Sequence, residues 1–338
     1  MGHMSGILRG LPESTQTETV LDLMVSEAIK TSAIEGEVLS RVDVMSSIRN
    51  QLELNVPIEI VRDPRASGAA ELMMDVRRSF AEALSKEKLF TWHRMLLGSR
   101  AEHMRVGAWR VHAEPMQVVS WPVGKAKVHF EAPPAKRVPT EMKAYIQWFN
   151  TTAPGGREAI KLAPVRSAIA HSYFESIHPF EDGNGRIGRA LAEKSLSQGL
   201  GHPALLSLSK TIEANKKKYY DALRAAQRSN EITPWIDYFI HTVLEAQLDA
   251  ETQIDFVLKK ARFFDRYASQ LDERQIKALR RMLEEGPHGF AGGMNASKYI
   301  GITGVSKATA TRDLQHLRDL GILQLIGAGR SARYALVI

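Results

Sequence analysis

The sequence of 338 residues contains no cysteine. A chain without thiols can form no disulfide framework, no cysteine-ligated zinc or iron–sulfur site and no thiol nucleophile. It also has no apolar run near the roughly 20 residues that a membrane-spanning helix needs. The opening Met1-Gly2-His3-Met4 lacks the basic and apolar segments of a secretory signal. We therefore predict a cytoplasmic protein that makes no contact with a membrane.

The excess of positive charge is small, since the formal net charge is +7 at pH 7. It permits an anionic partner but does not by itself indicate nucleic acid. Hydrophobic residues make up 44% and charged residues 25% of the chain, which argues against a disordered or fibrous polymer. A chain of this length has room for two or three domains, because single hydrophobic cores stop growing below about 300 residues.

Apolar residues recur at helical spacing through most of the chain, so we predict a mainly α fold. The periodic segments lie at about 20–34, 40–55, 69–84, 91–98, 140–150, 164–177, 187–198, 211–228 and 234–264. β-Branched and aromatic residues are concentrated instead between Met116 and Phe130, on either side of Pro122-Val123-Gly124. This pattern predicts a β-hairpin.

The last part of the chain, from about Leu271, has a different pattern. Helical stretches, the last of them starting at Ser306, precede two β-prone runs at 322–326 and 333–337. This order of helices and hairpin is typical of a winged helix, a module that binds DNA in some proteins and other proteins elsewhere. The residues that would contact DNA are Lys307, Thr309, Thr311, Arg312, Arg330 and Arg333.

One segment between two predicted helices carries most of the chemical information: His178-Pro179-Phe180-Glu181-Asp182-Gly183-Asn184-Gly185-Arg186-Ile187-Gly188-Arg189. Glycines at the start of a helix expose backbone N–H groups that can cradle phosphate oxygens. Arg186 and Arg189 lie one turn apart and can hold two phosphates of one polyphosphate chain. Asp182 supplies a hard oxygen ligand for Mg²⁺, and an imidazole such as His178 can take a proton near neutral pH. Phe180, among polar neighbours, is expected to point into the core.

This segment resembles the signature of the Fic (filamentation-induced-by-cAMP) family, H-P-F-x-D-G-N-G-R-x-x-R, and matches its nine fixed positions. Proteins of that family are mostly helical, and most transfer AMP from ATP to a protein hydroxyl. The resemblance implies that His178 is the general base and that Asp182 holds Mg²⁺. It assigns the anion hole to Gly183, Asn184 and Gly185, the outer phosphates to Arg186 and the γ-phosphate to Arg189.

Thr31-Ser32-Ala33-Ile34-Glu35-Gly36 matches the family's inhibitory pattern, [ST]-x-x-x-E-[GN]. The resemblance implies that Glu35 reaches into the ATP site, pairs with Arg189 and competes there with the γ-phosphate.

The predicted hairpin resembles the family's flap, an edge onto which a target segment docks as an added strand. Its docking residues would be Val118, Val119, Ser120 and Trp121. Tyr220 and Gln227 fall where the family has its adenine-side contacts, although many members have asparagine at the position of Gln227.

We therefore expect an N-terminal helical segment with the inhibitory motif at 1–60, a Fic catalytic core at 61–265 and a winged-helix domain at 270–338. The expected function is an autoinhibited, ATP-dependent protein adenylyltransferase that uses Mg²⁺ and modifies a Ser, Thr or Tyr hydroxyl of a protein. The chain itself is a further expected target, and a homodimer is the expected assembly. Three alternatives stay open: removal of AMP as well as transfer, a different nucleotide donor, and a DNA-binding transcriptional regulator whose core senses ATP.

Overall fold

The structure, a computed structural model, describes Gly6 and residues 12–55, 57–102, 104–112, 117–120, 127–287, 289–327 and 332–338, with the backbone alone at 117–120 and 127–130. The chain divides into two compact units, built mainly from residues 17–250 and from residues 251–338. The described residues are mostly helical, as predicted from the apolar spacing. The finer domain boundaries stay a prediction.

The first unit is built from helices, and the first seven of them contribute to a hydrophobic core. The helices are α1 (Glu13–Ile34), α2 (Arg41–Gln51), α3 (Pro64–Arg78), α4 (Lys86–Leu97), α5 (Val138–Thr151), α6 (Ala163–Ile177), α7 (Asn184–Leu200), α8 (Leu208–Ala214), α9 (Lys216–Ala226) and the first part of α10 (Thr233–Tyr267). A short 3₁₀ turn, Gly98–Arg100, follows α4.

Helices α3 and α4 start earlier than the apolar spacing predicted, because capping residues lie upstream of the periodic segments. Asp63 accepts a hydrogen bond from Arg65 N (2.9 Å) and starts α3 with Pro64 at its first position. Ser85 accepts one from Lys88 N (3.0 Å) and starts α4. Such caps satisfy backbone donors that have no intrahelical partner. The start of a helix is therefore set by polar residues that a hydrophobic pattern does not register.

The single helix predicted over 211–228 is wrong. The chain instead forms α8 and α9, separated at Asn215, whose φ of −129° and ψ of 42° are not helical. Asn is a poor residue for a helix interior because its side chain competes for backbone hydrogen bonds.

Helices α6 and α7 pack together at the centre of the first unit, and the turn 178–183 connects them. Helix α6 ends because His178 adopts a left-handed conformation with φ 50° and ψ 61°. Helix α7 begins after Gly183, whose φ is 80°. The buried side chains of Phe174, Phe180 and Leu191 anchor the pair in the core. The segment that resembles the family signature therefore lies at a rigid junction.

The predicted hairpin is confirmed. Strand β1 (Gln117–Ser120) pairs antiparallel with β2 (Lys127–Glu131), and the register shifts at a bulge between Val118 and Val119. Trp121 and the rest of the connection lie outside the described residues.

The second unit has the predicted winged-helix order. Helices α11 (Glu273–Leu283), α12 (Ala296–Thr303) and α13 (Lys307–Asp319) precede the antiparallel strands β3 (Leu323–Ile326) and β4 (Arg333–Leu336). Met294 adds an isolated bridge to Tyr334, with hydrogen bonds of 2.8 and 2.7 Å. Leu279, Tyr299 and Leu314 are among the residues of its own hydrophobic core.

Among the helices of the described ranges, none combines the length and apolarity needed to cross a bilayer.

The contact between α3 and α4 depends on Gly68, because a Cβ atom there would collide with the backbone oxygen of Met95. We expect Gly68→Ala to lower the free energy of unfolding by about 1–3 kcal/mol, since backbone cannot move aside as a flexible side chain can. Urea unfolding followed by circular dichroism measures this. Gly98→Ala is the matched control, because Gly98 has φ −54° and nothing within 4 Å of an added Cβ. Equal losses in the two variants would contradict the packing argument.

Candidate active site

The turn 178–183 is held by side chains on both sides of it. Asn184 Oδ1 accepts a hydrogen bond from Phe180 N (2.9 Å), and Asn184 Nδ2 donates to Phe180 O (2.9 Å). Both polar atoms of this amide therefore hold the turn together. Asp182 Oδ1 accepts from Gly183 N (2.6 Å).

A histidine outside the predicted segment supports this turn from α4. The ring of His93 stacks on Phe180 with the centroids 4.1 Å apart. His93 Nδ1 accepts a hydrogen bond from Gly107 N (2.8 Å), so Nε2 carries the proton and donates to Asp182 O (3.2 Å). Burial lowers the pKa of His93 to about 4. The neutral ring therefore fixes Phe180 and Asp182 together.

Arg110 fastens the same turn to the end of the hairpin. Its buried guanidinium donates from Nε to His178 O (2.7 Å) and from Nη2 to Pro133 O, and its backbone N–H donates to Pro179 O (2.9 Å). Pro133 follows strand β2, which ends at Glu131. The backbone of His178 is thus tied to the base of the hairpin.

His178 is placed to accept a proton. Its side chain is 16% exposed. Burial, with a smaller effect of the nearby Arg110, lowers the pKa of His178 to about 4. The imidazole is therefore unprotonated at neutral pH, which is the form that a general base requires.

Arg189 is buried on α7 and contacts the end of α1. Its Nε donates to Thr31 Oγ1 (2.7 Å), and its Nη2 donates to Thr31 O (2.9 Å) and Glu35 Oε1 (2.8 Å). Although burial disfavours its charge, Glu35 holds the pKa of Arg189 above its ordinary value. Both fixed side chains of the predicted inhibitory pattern therefore contact one guanidinium.

The Glu35 carboxylate also covers the first turn of α7. A side chain built at Gly185 would collide with Glu35 Oε1. The backbone N–H groups of a first helical turn have no intrahelical acceptor, and the helix dipole favours negative charge there. The carboxylate of Glu35 therefore occupies the position at which this helix end would hold an anion.

A second acidic residue, Glu37, engages the other arginine of the segment. Glu37 Oε2 accepts from Arg186 Nη1 (2.6 Å), and Glu37 Oε1 accepts from Arg100 Nη2 (2.7 Å). Arg100 Nη1 donates to Asp182 Oδ2 (3.0 Å), and Arg186 Nη2 lies 3.4 Å from Asp182 Oδ1. The side chains of these four residues form a closed ring of ion pairs, which we call the ion-pair ring. At its inner end the Arg186 side chain is buried (3% exposed), and at its outer end the Asp182 side chain is partly exposed (39%).

The two residues expected near the adenine lie on and after α9. Tyr220 is partly exposed, and its ring centroid lies 5.0 Å from that of the buried Tyr219. Burial raises the pKa of Tyr220, and the charge of Glu35 raises it further. Gln227 Nε2 donates to the backbone oxygen of Glu175 (3.3 Å). The side chains of Val118, Val119 and Ser120 are not among those described, and Trp121 lies outside the described residues altogether.

The structure thus brings His178, Asp182, Gly185, Arg186, Arg189 and Glu35 into one site. It also adds residues that the sequence patterns missed, namely Glu37, His93, Arg100, Arg110 and Glu175. Glu37 had a weak signal, since it lies two positions after Glu35. Glu175 lies three residues before His178 at the end of α6, whereas His93, Arg100 and Arg110 lie on separate elements at no characteristic spacing.

Comparison with known proteins agrees with this architecture. Residues 83–196 match the Fic/DOC family model, residues 1–54 match one described as a domain of unknown function (DUF4172), and residues 290–337 match "Transcriptional regulator DIP2311-like, C-terminal domain". A crystal structure of a Fic family protein from Desulfovibrio desulfuricans superposes with a TM-score of 0.54 at 21% identity, covering 99% of this chain and 93% of that one. The fold is therefore of the Fic type. More specifically, residues 83–196 are the part of the chain that is similar to the Fic/DOC family.

Two curated relatives carry adenylyltransferase names. A protein adenylyltransferase Fic of Nematostella vectensis is 24% identical over 226 residues, 65% of this chain and 46% of the relative. A protein of Aquifex aeolicus named "Probable protein adenylyltransferase" is 34% identical over 98 residues, 29% of this chain and 27% of the relative. This chain therefore spans less than half the length of either relative.

The low pKa of His93 predicts acid sensitivity. The unfolded chain takes up this proton near the ordinary pKa of 6.5 and the folded chain only near 4, so folding stability falls as the pH drops between these values. Between about pH 7.5 and 5.5 we expect wild type to lose about 1 kcal/mol more than His93→Gln, which keeps a donor and an acceptor. Urea unfolding at both pH values measures this. The exposed His241 supplies the control His241→Gln, which should behave as wild type does; a matching loss in His93→Gln would refute the assignment.

Proposed function

We propose that this chain is a protein adenylyltransferase, a nucleotidyltransferase that moves AMP from ATP to a hydroxyl side chain of a protein, and that Glu35 inhibits it. The observation that carries the proposal is the anion position at the start of α7. Gly185 and Arg189 adjoin it, Arg186 follows Gly185 in the same helical turn, and the neutral imidazole of His178 lies at the adjoining turn. The adenylyltransferase names of the relatives and the Fic/DOC match support the same reaction.

In this proposal the triphosphate binds along the first turn of α7. The backbone N–H groups of Asn184 and Gly185 and the guanidiniums of Arg186 and Arg189 donate to phosphate oxygens. The N–H of Gly183 joins them once Asp182 Oδ1, which accepts it in this structure, has moved away. Nε2 of His178 takes the proton from the target hydroxyl. The freed oxygen forms a bond to the α-phosphorus while the bond to pyrophosphate breaks. Catalysis then consists of positioning and charge neutralisation, as in other phosphoryl transfers.

The donor set at Asp182 fits Mg²⁺ that arrives with the nucleotide. The carboxylate is 39% exposed at the edge of the site, and magnesium is commonly held by one or two carboxylates together with substrate phosphates. Among the described residues there is no group of three or more His, Asp or Glu that could hold a metal by itself. Asp182 would hold the ion, which when bound neutralises phosphate charge. Asp182 must then leave Arg100.

Inhibition would act through two carboxylates. Glu35 holds Arg189 and covers Gly185, while Glu37 holds Arg186 and Arg100. A triphosphate needs the same guanidiniums, so it must displace both. The ion-pair ring also keeps Asp182 Oδ2 paired with Arg100 Nη1 at 3.0 Å. The resting state would therefore bind its nucleotide weakly or in an unproductive position.

Several finer features remain predictions. They are docking of the target on the hairpin, base contacts by Tyr220 and Gln227, self-modification, a homodimer, a cytoplasmic location, and removal of AMP as a second activity. The choice of ATP as donor is supported by the names of the relatives alone.

We expect Glu35→Gly to raise AMP transfer about 10- to 100-fold, because the anion position is then free. Glu35→Gly combined with Glu37→Gln should be faster still, and His178→Ala in the same background should lower transfer at least about 100-fold. Transfer of label from α-labelled ATP to protein, with mass spectrometry of the modified peptides, reports rate and acceptor together.

The control for this series is Asp22→Asn, which removes one exposed negative charge from α1 and leaves the site intact. Equal labelling by wild type, Asp22→Asn and Glu35→Gly would contradict the proposed inhibitory role of Glu35. Labelling that persists in His178→Ala would contradict the proposal that His178 is the general base. Parallel reactions with other labelled nucleotides test the donor.

A second candidate function is DNA binding by the winged helix, because residues 290–337 match the C-terminal domain of a transcriptional regulator family. Lys307, Thr311 and Arg312 are exposed on α13. The neighbouring Asp313 accepts from Arg274 Nε (2.8 Å) and Tyr299 Oη (3.0 Å), so its charge is directed inward. The exposed side of α13 is therefore basic. Arg333 lies at the start of β4, and Arg330 lies outside the described residues.

For DNA binding we expect Lys307→Ala/Arg312→Ala to weaken the affinity for duplex DNA and to reduce the slope of log K against log salt by about 2, since two phosphate contacts are lost. Fluorescence anisotropy of the full chain across a salt series measures both quantities. Lys277→Ala, an exposed charge on α11, is the control. An unchanged slope would argue for a protein contact instead.

A further inference from the structure

Helix α6 carries a stripe of buried polar side chains that leads to the proposed base. His171 and Glu175 lie one turn apart on one face of the helix, and His178 follows three residues later at the cap that ends it. Each has one buried atom without a hydrogen bond among the described residues: His171 Nδ1, Glu175 Oε1 and His178 Nδ1. Buried polar atoms are nearly always paired. Three unpaired buried atoms on neighbouring side chains therefore indicate that these side chains serve a function.

The inner end of the stripe is fixed by Tyr219. Its hydroxyl lies 2.8 Å from His171 Nε2. Burial raises the pKa of Tyr219 well above its ordinary value, so the hydroxyl keeps its proton, and the tautomer of His171 sets which of the two groups donates. Burial also lowers the pKa of His171 to about 3. The ring is therefore neutral and carries a single proton.

Gly188 on α7 leaves space for the side chains in the middle of the stripe. A Cβ there would collide with Glu175 Oε1 and would lie 3.1 Å from His171 Nδ1. Both atoms therefore adjoin the space that this glycine leaves open. Helix α7 thus faces the stripe with its smallest residue.

At the outer end, Glu175 Oε2 lies 3.8 Å from His178 Nδ1. The backbone of Glu175 also favours the protonated form of the His178 ring, while Nδ1 has no hydrogen-bond partner among the described residues. A shift of the side chain by about 1 Å would bring Oε2 within hydrogen-bond distance. Catalytic hydrogen bonds are often long before the substrate is bound.

We propose that Glu175 is a positioning residue for His178: its side-chain oxygen accepts the Nδ1–H hydrogen bond, which keeps Nε2 unprotonated and directed at the target hydroxyl. The inference rests on the proposed transfer reaction. When Nε2 takes the proton, His178 becomes a cation, and the adjacent carboxyl group stabilises it. The hydroxyl oxygen then bonds to the α-phosphorus and pyrophosphate leaves.

Another role for Glu175 is as a partner of Arg189, whose Nη1 is also unpaired among the described residues. Arg189 already donates to Thr31 and Glu35. The two roles differ in the step that they affect. A partner of Arg189 would act on nucleotide binding, whereas a partner of His178 acts on the chemical step.

The test compares Glu175→Gln and Glu175→Met in the Glu35→Gly background. We expect Met, which has similar length but no acceptor, to lower kcat about 10- to 100-fold, with KM for ATP changed less than about twofold. Gln retains an acceptor oxygen and should lose less activity than Met. A packing role would reverse this order, because Met suits a buried position better. A rise in KM without a fall in kcat would assign Glu175 to Arg189; either result overturns the proposal.

A second readout does not depend on catalysis. The ¹⁵N NMR shifts of the His178 ring report which nitrogen carries the proton. We expect Nδ1–H in the parent and a mixture of both tautomers in Glu175→Met. An unchanged tautomer in that variant would overturn the proposal. Glu193→Gln is the control, because burial raises the pKa of that acid to about 8 as it does for Glu175.

Failure of the transfer reaction is distinguishable from failure of this inference. If His178→Ala labels protein as fast as its Glu35→Gly parent, the proposed function is wrong, whatever the tautomer. If His178→Ala is inactive and Glu175→Met retains full kcat, the inference about Glu175 alone is wrong.

Discussion

The buried guanidinium of Arg189 is the interaction on which the site depends. An unpaired charge in a protein interior costs several kcal/mol, so the arginine requires acceptors. Thr31 and Glu35, one turn apart at the end of α1, supply them. This requirement holds the end of α1 against the start of α7, and it brings the Glu35 carboxylate over Gly185. The contact that satisfies the buried charge is therefore also the contact that fills the anion position.

Burial has opposite consequences for the two kinds of charged group around this position. The buried guanidinium of Arg189 stays charged because the Glu35 carboxylate pairs with it. Imidazole loses its proton when buried, and the pKa values of His93 and His178 fall to about 4. One histidine thereby becomes a fixed structural support, and the other becomes able to accept a proton. In the same low-polarity interior, the paired arginine is therefore a cation and the two histidines are neutral.

Much of the fold follows from local patterns, and the exceptions have local causes. β-Branched and aromatic residues predicted the hairpin, and apolar spacing predicted α6 over 164–177 and the helices of the winged-helix order. It misjudged the starts of α3 and α4, because Asp63 and Ser85 cap them ahead of the periodic segments. It also missed the break at Asn215, since a single polar residue hardly alters a hydrophobic period.

For the candidate site, the sequence by itself determined the turn, the glycine that starts α7, the spacing of Arg186 and Arg189, and the four-residue step from Thr31 to Glu35. These features are local, because backbone conformation and helical period depend on near neighbours. Only the tertiary structure decided that Glu37 reaches Arg186 and Arg100, that His93 and Arg110 hold the turn, and that Glu175 faces His178. Most of these contacts join elements far apart in the chain, and even the pair within α6 depends on burial by α7. Sequence spacing does not encode that packing.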